Sequence, residues 1–280
     1  MLIIPVLDVF AKLLGGTLDP VEVTFMRFVV QALLMAPFVI YLKLWRIPQG
    51  TLILQSARGI LLAVATVCFF GALQHLPLAE AISIFFVQPI ILTIISALFL
   101  GEPIRARRII AIIIGLIGTV IILQPSILAF GKPALYPLGS AVAMALYMAV
   151  TRKISGQVHP FQMQFIVGIV AMAFLGAVLI IGGAFGLPGT DFIIPNSLQI
   201  LWILGMGLAA TIGHAFIVWA MANAPASLLA PFAYVEIIGA TSLGFLVFGD
   251  VPADSTILGV GIIIASGVYL FHRERKLAME

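Results

Sequence analysis

Glu236 lies near the middle of a long apolar stretch, where a carboxyl group is costly and is therefore read as a working group. Two reactions to its surroundings suit it: contact with a substrate amine, or loading and release of a proton. The structural alternative is an interhelical hydrogen bond from a protonated carboxyl. Phe232, Ala233, Gly239 and Ala240 share its helical face, and the small residues there allow close packing or a cavity. His214, in the preceding stretch, has Ala210, Thr211, Ile217 and Val218 on its face. It suits substrate binding or titration near neutral pH, or equally a neutral hydrogen-bonding strut. Asp8 and Lys12 are spaced i,i+4 and are expected to face each other as an ion pair, with a gate or coupling site as the alternative. Arg27 and Glu80 sit close to segment ends, where they can pair as an outer gate or snorkel to an interface. Tyr147 and Tyr234 offer an apolar body with a hydroxyl, suited to a mostly apolar pocket or to core packing.

No known soluble chemistry collects these groups. There is no G-x-x-x-x-G-K-[ST] phosphate loop, no H-E-x-x-H, no G-x-S-x-G and no Cys or His pair at metal spacing. No cofactor and no metal site is expected. A membrane enzyme would cluster its acid, base or nucleophile near an interface, whereas these polar residues are dispersed over many segments.

The elements that must position them are membrane-spanning helices. The chain has 280 residues, 62% hydrophobic and 9% charged, against about 25% charged in an ordinary soluble domain. Ten apolar segments are expected, at about 2–16, 22–44, 54–74, 78–100, 106–124, 134–152, 162–183, 198–222, 227–248 and 255–272. Pro- or Gly-containing turns separate them, and the longest connection is about 184–197. The strict alternation of barrel strands is missing. The N-terminus carries Asp8 and Lys12 within its apolar stretch and no basic leader or A-x-A site, so it reads as a first helix rather than a secretory signal. With only about 16 residues before Thr17-Leu18-Asp19-Pro20, that helix is expected to be short or truncated. The single cysteine, Cys68, reads as a small buried hydrophobe. Gly115 and Gly118, Gly205 and Gly207, and Ala240 with Gly244 read as helix-packing positions.

With the N-terminus inside, eleven basic residues fall at the cytoplasmic face: Lys43, Arg46, Arg58, Arg105, Arg107, Arg108, Arg152, Lys153, Arg273, Arg275 and Lys276. Lys132 alone falls outside. The net charge of +3 is thus a membrane signal and not a nucleic-acid one. Both termini are expected to be cytoplasmic.

The second half of the chain echoes the first. Pro77, Gly101-Glu102 and Ala111 are spaced as Pro225, Gly249-Asp250 and Gly259 are, and Asp19-Pro20 matches His159-Pro160. Gln88 is then the counterpart of Glu236. The loop after Glu102 holds Arg105, Arg107 and Arg108, while the one after Asp250 holds no base. Five segments per half force opposite orientation on the two copies. The expectation is an all-α membrane protein of ten transmembrane helices in two inverted five-helix repeats, residues 1–125 and 126–280, around a central cavity. Inverted repeats with polar midplane groups imply a secondary transporter.

The run Leu76-Pro77-Leu78-Ala79-Glu80-Ala81, then Gln88-Pro89, Leu100-Gly101-Glu102, Gly115 and Gly118 resembles the EamA family of the drug/metabolite transporter superfamily. Ala224-Pro225 to Ala230-Pro231, Phe248-Gly249-Asp250 and Gly259 repeat the pattern, and Arg27 resembles the family's usual Arg in segment two. The resemblance covers essentially the whole chain. It implies the ten-helix fold with inside termini and a multi-pass protein of the bacterial inner membrane. It also implies a small-molecule substrate and no nucleic acid. Amino-acid efflux by alternating access, as in YddG-type exporters, is the leading expectation. Import of an aromatic or nucleoside-like metabolite such as riboflavin or S-adenosylmethionine is the alternative. Glu236, Gln88, His214, Tyr234, Tyr147, Asp8 and Lys12 are the candidate substrate-binding or coupling residues, with Arg27 and Glu80 as the outer gate. Protons are a candidate coupling partner, the lipid bilayer the surroundings, and a monomer or homodimer the expected assembly.

Overall fold

A computed structural model of the chain describes residues 3–100, 106–223 and 235–279. Helices make up the described chain: α1 Ile4–Leu14, α2 Pro20–Tyr41, α3 Leu52–Leu73, α4 Leu78–Phe85, α5 Gln88–Leu100, α6 Ala106–Phe130, α7 Tyr136–Ile154, α8 Pro160–Ala184, α9 Ser197–Asn223, α10 Val235–Leu243 and α11 Asp254–Met279. A 3-10 turn, Lys132–Leu135, leads into α7, and a π turn, Gly244–Phe248, extends α10. Seven stretches among the described residues are long and apolar enough to cross a membrane, from Pro20–Tyr41 to Ser197–Asn223. The protein is a multi-pass membrane protein.

Sequence sets the helix ends by familiar means. Pro20 and Pro160 open α2 and α8 at the first helical position, where a missing N–H costs nothing. His159 adds a cap, its Nδ1 accepting from the Phe161 N–H at 3.3 Å. The fourth apolar segment, expected to be one helix over 78–100, is two. Pro89 has no N–H for the Phe85 carbonyl and disfavours helical backbone at the residue before it. The chain accordingly breaks at Phe86 and Val87, and α5 restarts at Gln88. The fifth segment differs in the other direction. It runs through Gln124-Pro125 to Phe130 and stops at Gly131, whose φ of 68° is left-handed backbone that glycine adopts freely. Of the ninth segment the described part begins at Val235.

α2 packs on α8 and α9, α3 on α7 and α8, α1 on α9 and α10, α5 on α7, α4 on α10, and α6 on α11. Small residues permit the closest approaches, as interfaces without a hydrophobic driving force require. A Cβ on Gly59 would meet Val170 Cβ at 2.7 Å, and one on Gly207 would meet Val30 Cβ at 2.5 Å. One on Gly115 would stand 2.7 Å from Ile90, and one on Gly205 2.9 Å from Phe10. The buried core gathers Leu14, Phe70, Leu78, Ile82 and Met206 in one cluster and Phe28, Leu62, Tyr147, Val167 and Leu175 in another. Outward faces are equally apolar: Leu33, Ile53, Leu98, Ile180, Trp219 and Leu246 are exposed, a surface made for lipid.

Arg58, expected at a cytoplasmic loop face, is instead buried between α3 and α7. Its Nε donates to Thr151 Oγ1 at 2.8 Å and its Nη2 to the Tyr147 hydroxyl at 3.4 Å. It lies within the second turn of α3, and these hydrogen bonds replace part of the water it gives up, its Nη1 having no partner among the described residues. Glu22 is likewise buried and accepts from the Ile193 N–H at 2.9 Å, which ties the connection between α8 and α9 to the start of α2.

Candidate functional site

A cavity lies where α1, α2, α9 and α10 face α3, α4, α5 and α7. Its empty space, counted together with the open solvent at its mouth, is about 710 Å³. On the first side Ile4, Leu7, Asp8, Arg27, His214, Ile217 and Glu236 line it. On the other stand Ala65, Thr66, Phe69, Phe70, Phe85, Gln88, Ser140, Met144 and Met148, with Phe86 from the break between α4 and α5. The wall is mostly apolar, with a few polar groups set into it, which is how binding pockets combine affinity with orientation.

The ionisable groups are deeply buried: Asp8 is 3% exposed, Arg27 0%, His214 5% and Glu236 8%. Three of them have unmet hydrogen-bonding capacity among the described residues. Asp8 Oδ2, His214 Nδ1 and all three guanidinium nitrogens of Arg27 find no partner. Buried polar atoms are normally paired, so the cluster is a polar patch with hydrogen-bonding capacity turned toward the cavity. Arg27 lies over the Phe28 ring, 4.2 Å from its centroid, which stabilises the cation without using its N–H groups. Gln88 is held by its Nε2, which donates to Met148 Sδ at 3.2 Å. Tyr147 stands behind His214, edge to face at 6.2 Å, and its hydroxyl accepts from Arg58. It packs against the histidine and is not among the residues that line the cavity.

Asp8, Gln88, His214 and Glu236, read from the sequence as candidate substrate-binding or coupling groups, line one cavity. Arg27, read as an outer-gate residue, joins them in the lining, and Glu80, its expected partner, is buried on α4 outside the lining. Tyr234 lies outside the described residues. The expected pairing of Asp8 with Lys12 gives way to another. Lys12 Nζ donates to Asp250 Oδ2, and the same oxygen accepts from the Leu78 N–H at 3.3 Å. Lys12 also lies 4.5 Å from the centre of the Phe248 ring. Its long stem reaches past Asp8 toward the helix end, as snorkelling lysines do. Gly249, at φ 71°, turns the chain so that Asp250 faces it. The end of α1, the start of α4 and the end of the α10 π turn are joined there. Thr66, Phe69, Ser140, Met144 and Met148 are lining residues that residue type alone did not single out. No group of three or more metal-ligating side chains occurs among the described residues.

The profile of the EamA-like transporter family matches residues 1–124 and 131–271. The chain belongs to that family. It is a membrane transporter of the EamA type, and as such its working part is a passage between two faces of a bilayer. It is 25% identical over 271 residues to an S-adenosylmethionine uptake transporter of Rickettsia prowazekii, covering 96% of this chain and 88% of that one. It is 28% identical over 274 residues to the pseudopaline exporter CntI of Pseudomonas aeruginosa, covering 97% and 92%. An uncharacterised transporter of Helicobacter pylori is 29% identical over 273 residues, covering 95% and 89%. A solved crystal structure superposes with a TM-score of 0.70 over 99% of this chain and 97% of that one at 18% identity, a match of fold. The family and these relatives are transporters.

Proposed function

We propose that this transporter exports amino acids across the bacterial inner membrane by alternating access through the central cavity. The observation that carries the reading is the cluster of Asp8, Arg27, His214 and Glu236 at its wall, with unmet hydrogen bonds of both signs in an otherwise apolar site. An amino acid offers the complements: a carboxylate, an ammonium and a side chain of variable bulk.

The architecture we propose has ten membrane-crossing helices in two inverted repeats, 1–125 and 126–280, with both termini cytoplasmic. Helix packing supports it. Under exchange of the halves, α3 on α7 becomes α9 on α1, α3 on α8 becomes α9 on α2, α5 on α7 becomes α10 on α1, and α2 on α8 maps to itself. The Gly59–Val170 contact maps in the same way to Gly207–Val30. A second arrangement of such a bundle is the exchange of the two halves' conformations, which moves the opening to the other face.

The Lys12–Asp250–Leu78 junction would be the outer closure. Charge reversal of either partner, Lys12→Asp or Asp250→Lys, is expected to lower flux severalfold. The double reversal should restore most of it, together with the melting temperature that each single reversal lowers by leaving a largely buried charge unpaired. Additive losses in the double variant would remove the pair from the gate.

Import of S-adenosylmethionine is the second reading, favoured by the Rickettsia relative. That compound also carries an α-amino-carboxylate, so both readings put the same headgroup in the cavity. Proteoliposomes separate them. Vesicles loaded with labelled leucine, phenylalanine and other amino acids should lose label faster than protein-free vesicles. Counterflow of labelled S-adenosylmethionine or riboflavin without any amino-acid flux would overturn the export reading.

A further inference from the structure

The two halves of the cavity wall match in position but not in charge. Ile4 corresponds to Met144 and Asp8 to Met148, each 140 residues apart. Thr66 corresponds to His214, Phe69 to Ile217 and Gln88 to Glu236, each 148 residues apart. Arg27 corresponds, at 140, to Val167. Every ionisable lining residue therefore lies on α1, α2, α9 or α10, which pack on one another. Their counterparts are Met148, Thr66 and Gln88 on the facing wall and Val167 on α8 outside the lining, all uncharged. Asp8 is near enough to Arg27 and Glu236 for the charges to interact.

We propose that the cavity is a two-walled site that fixes the orientation of an α-amino-carboxylate, with Arg27 as the anchor of the carboxylate. Asp8 and Glu236, on the same wall, face the ammonium, and the wall of Phe69, Phe85, Met144 and Met148 takes the side chain. The proposal rests on the amino-acid reading above. Arg27 carries it: a fully buried guanidinium lines the cavity, and none of its three nitrogens has an acceptor among the described residues. Its planar fork matches a carboxylate in two parallel hydrogen bonds. Cation and anion requirements also select the ligand. A simple amine would leave Arg27 unsatisfied. A simple anion would face Asp8 and Glu236. Only a group bearing both charges on neighbouring atoms answers the whole wall. The flexible methionines opposite accommodate side chains of different shape, so headgroup recognition is strict and side-chain recognition loose.

The test uses full-length protein in proteoliposomes and four labelled probes: leucine, phenylalanine and their carboxamides, which keep the ammonium and lose the carboxylate charge. Wild-type protein should carry each acid well ahead of its amide. Arg27→Gln should lower acid flux by roughly 10- to 100-fold, the loss of a charged hydrogen-bonding pair. It should collapse the preference for acid over amide, and Arg27→Lys should recover part of the acid flux. Size-exclusion behaviour and melting temperature check that the variant is folded. Equal transport of acids and amides by wild type overturns the anchor without any variant. So does an Arg27→Gln protein that is monodisperse yet loses both probes in parallel, or neither. A wild type that carries S-adenosylmethionine or riboflavin but no amino acid defeats the export reading instead.

Discussion

Glu236→Gln is expected to reduce amino-acid efflux by about 10- to 100-fold while leaving the protein folded. The carboxyl is buried at the start of the described part of α10 and lines the cavity with Asp8 and Arg27. Gln has the same shape and still hydrogen-bonds, so packing against neighbouring helices is retained. What it loses is the negative charge that a substrate ammonium meets in a site with little water to replace it. Gln88, its counterpart on the facing wall, shows that an amide is accommodated at this position in the bundle. Initial efflux rates from proteoliposomes, beside the melting temperature in detergent, read the two consequences separately. Wild-type flux in a monodisperse Glu236→Gln protein would remove Glu236 from the substrate site.

Gly259→Leu should give the largest loss of stability. α6 and α11 cross where Gly118 and Gly259 meet. A Cβ on Gly259 would lie 2.7 Å from the Gly118 carbonyl oxygen and 2.8 Å from Ile122 Cδ1. A side chain can turn away, but the backbone carbonyl cannot, so the helices must separate. Overpacking of this kind costs about 1–3 kcal/mol, and with backbone as the obstacle the upper end applies. Gly261→Leu, two residues along α11, is the control. Nothing lies within 4 Å of a Cβ there, so leucine should be tolerated and exchange glycine for a better helix former. Thermal unfolding followed by loss of the monodisperse peak should separate the two variants clearly. Equal melting temperatures would show that this crossing does not hold α6 to α11.

Much of the site was legible because charge within an apolar run is conspicuous. Asp8, His214 and Glu236 stand out for that reason, and Gln88 follows from the repeat. Arg27 reads from the sequence as a residue near the Asp19-Pro20 turn. Seven residues into α2, at about 1.5 Å each, put it about 10 Å deep, level with the cavity rather than the rim. Lys12 was paired with the nearest acid along its helix, but a lysine stem reaches farther toward the helix end, to Asp250. Neutral wall residues such as Thr66 and Met148 carry no signal in their type. They are visible only by applying the repeat spacing to His214 and Asp8. The fold was legible in its apolar periods and turn prolines, while the break after Phe85 needed Pro89 to be read as a missing donor.

The central claim is that amino acids pass through this cavity as it opens to alternate faces. The direct measurement uses a single cysteine at the cavity wall, Thr66→Cys in a Cys68→Ser background, in proteoliposomes of known orientation. A membrane-impermeant thiol reagent is applied from one face at a time. The account predicts labelling from both faces, slowed several-fold from each by saturating leucine or phenylalanine and not by their carboxamides. Labelling from one face only, at a rate no amino acid alters, would contradict it.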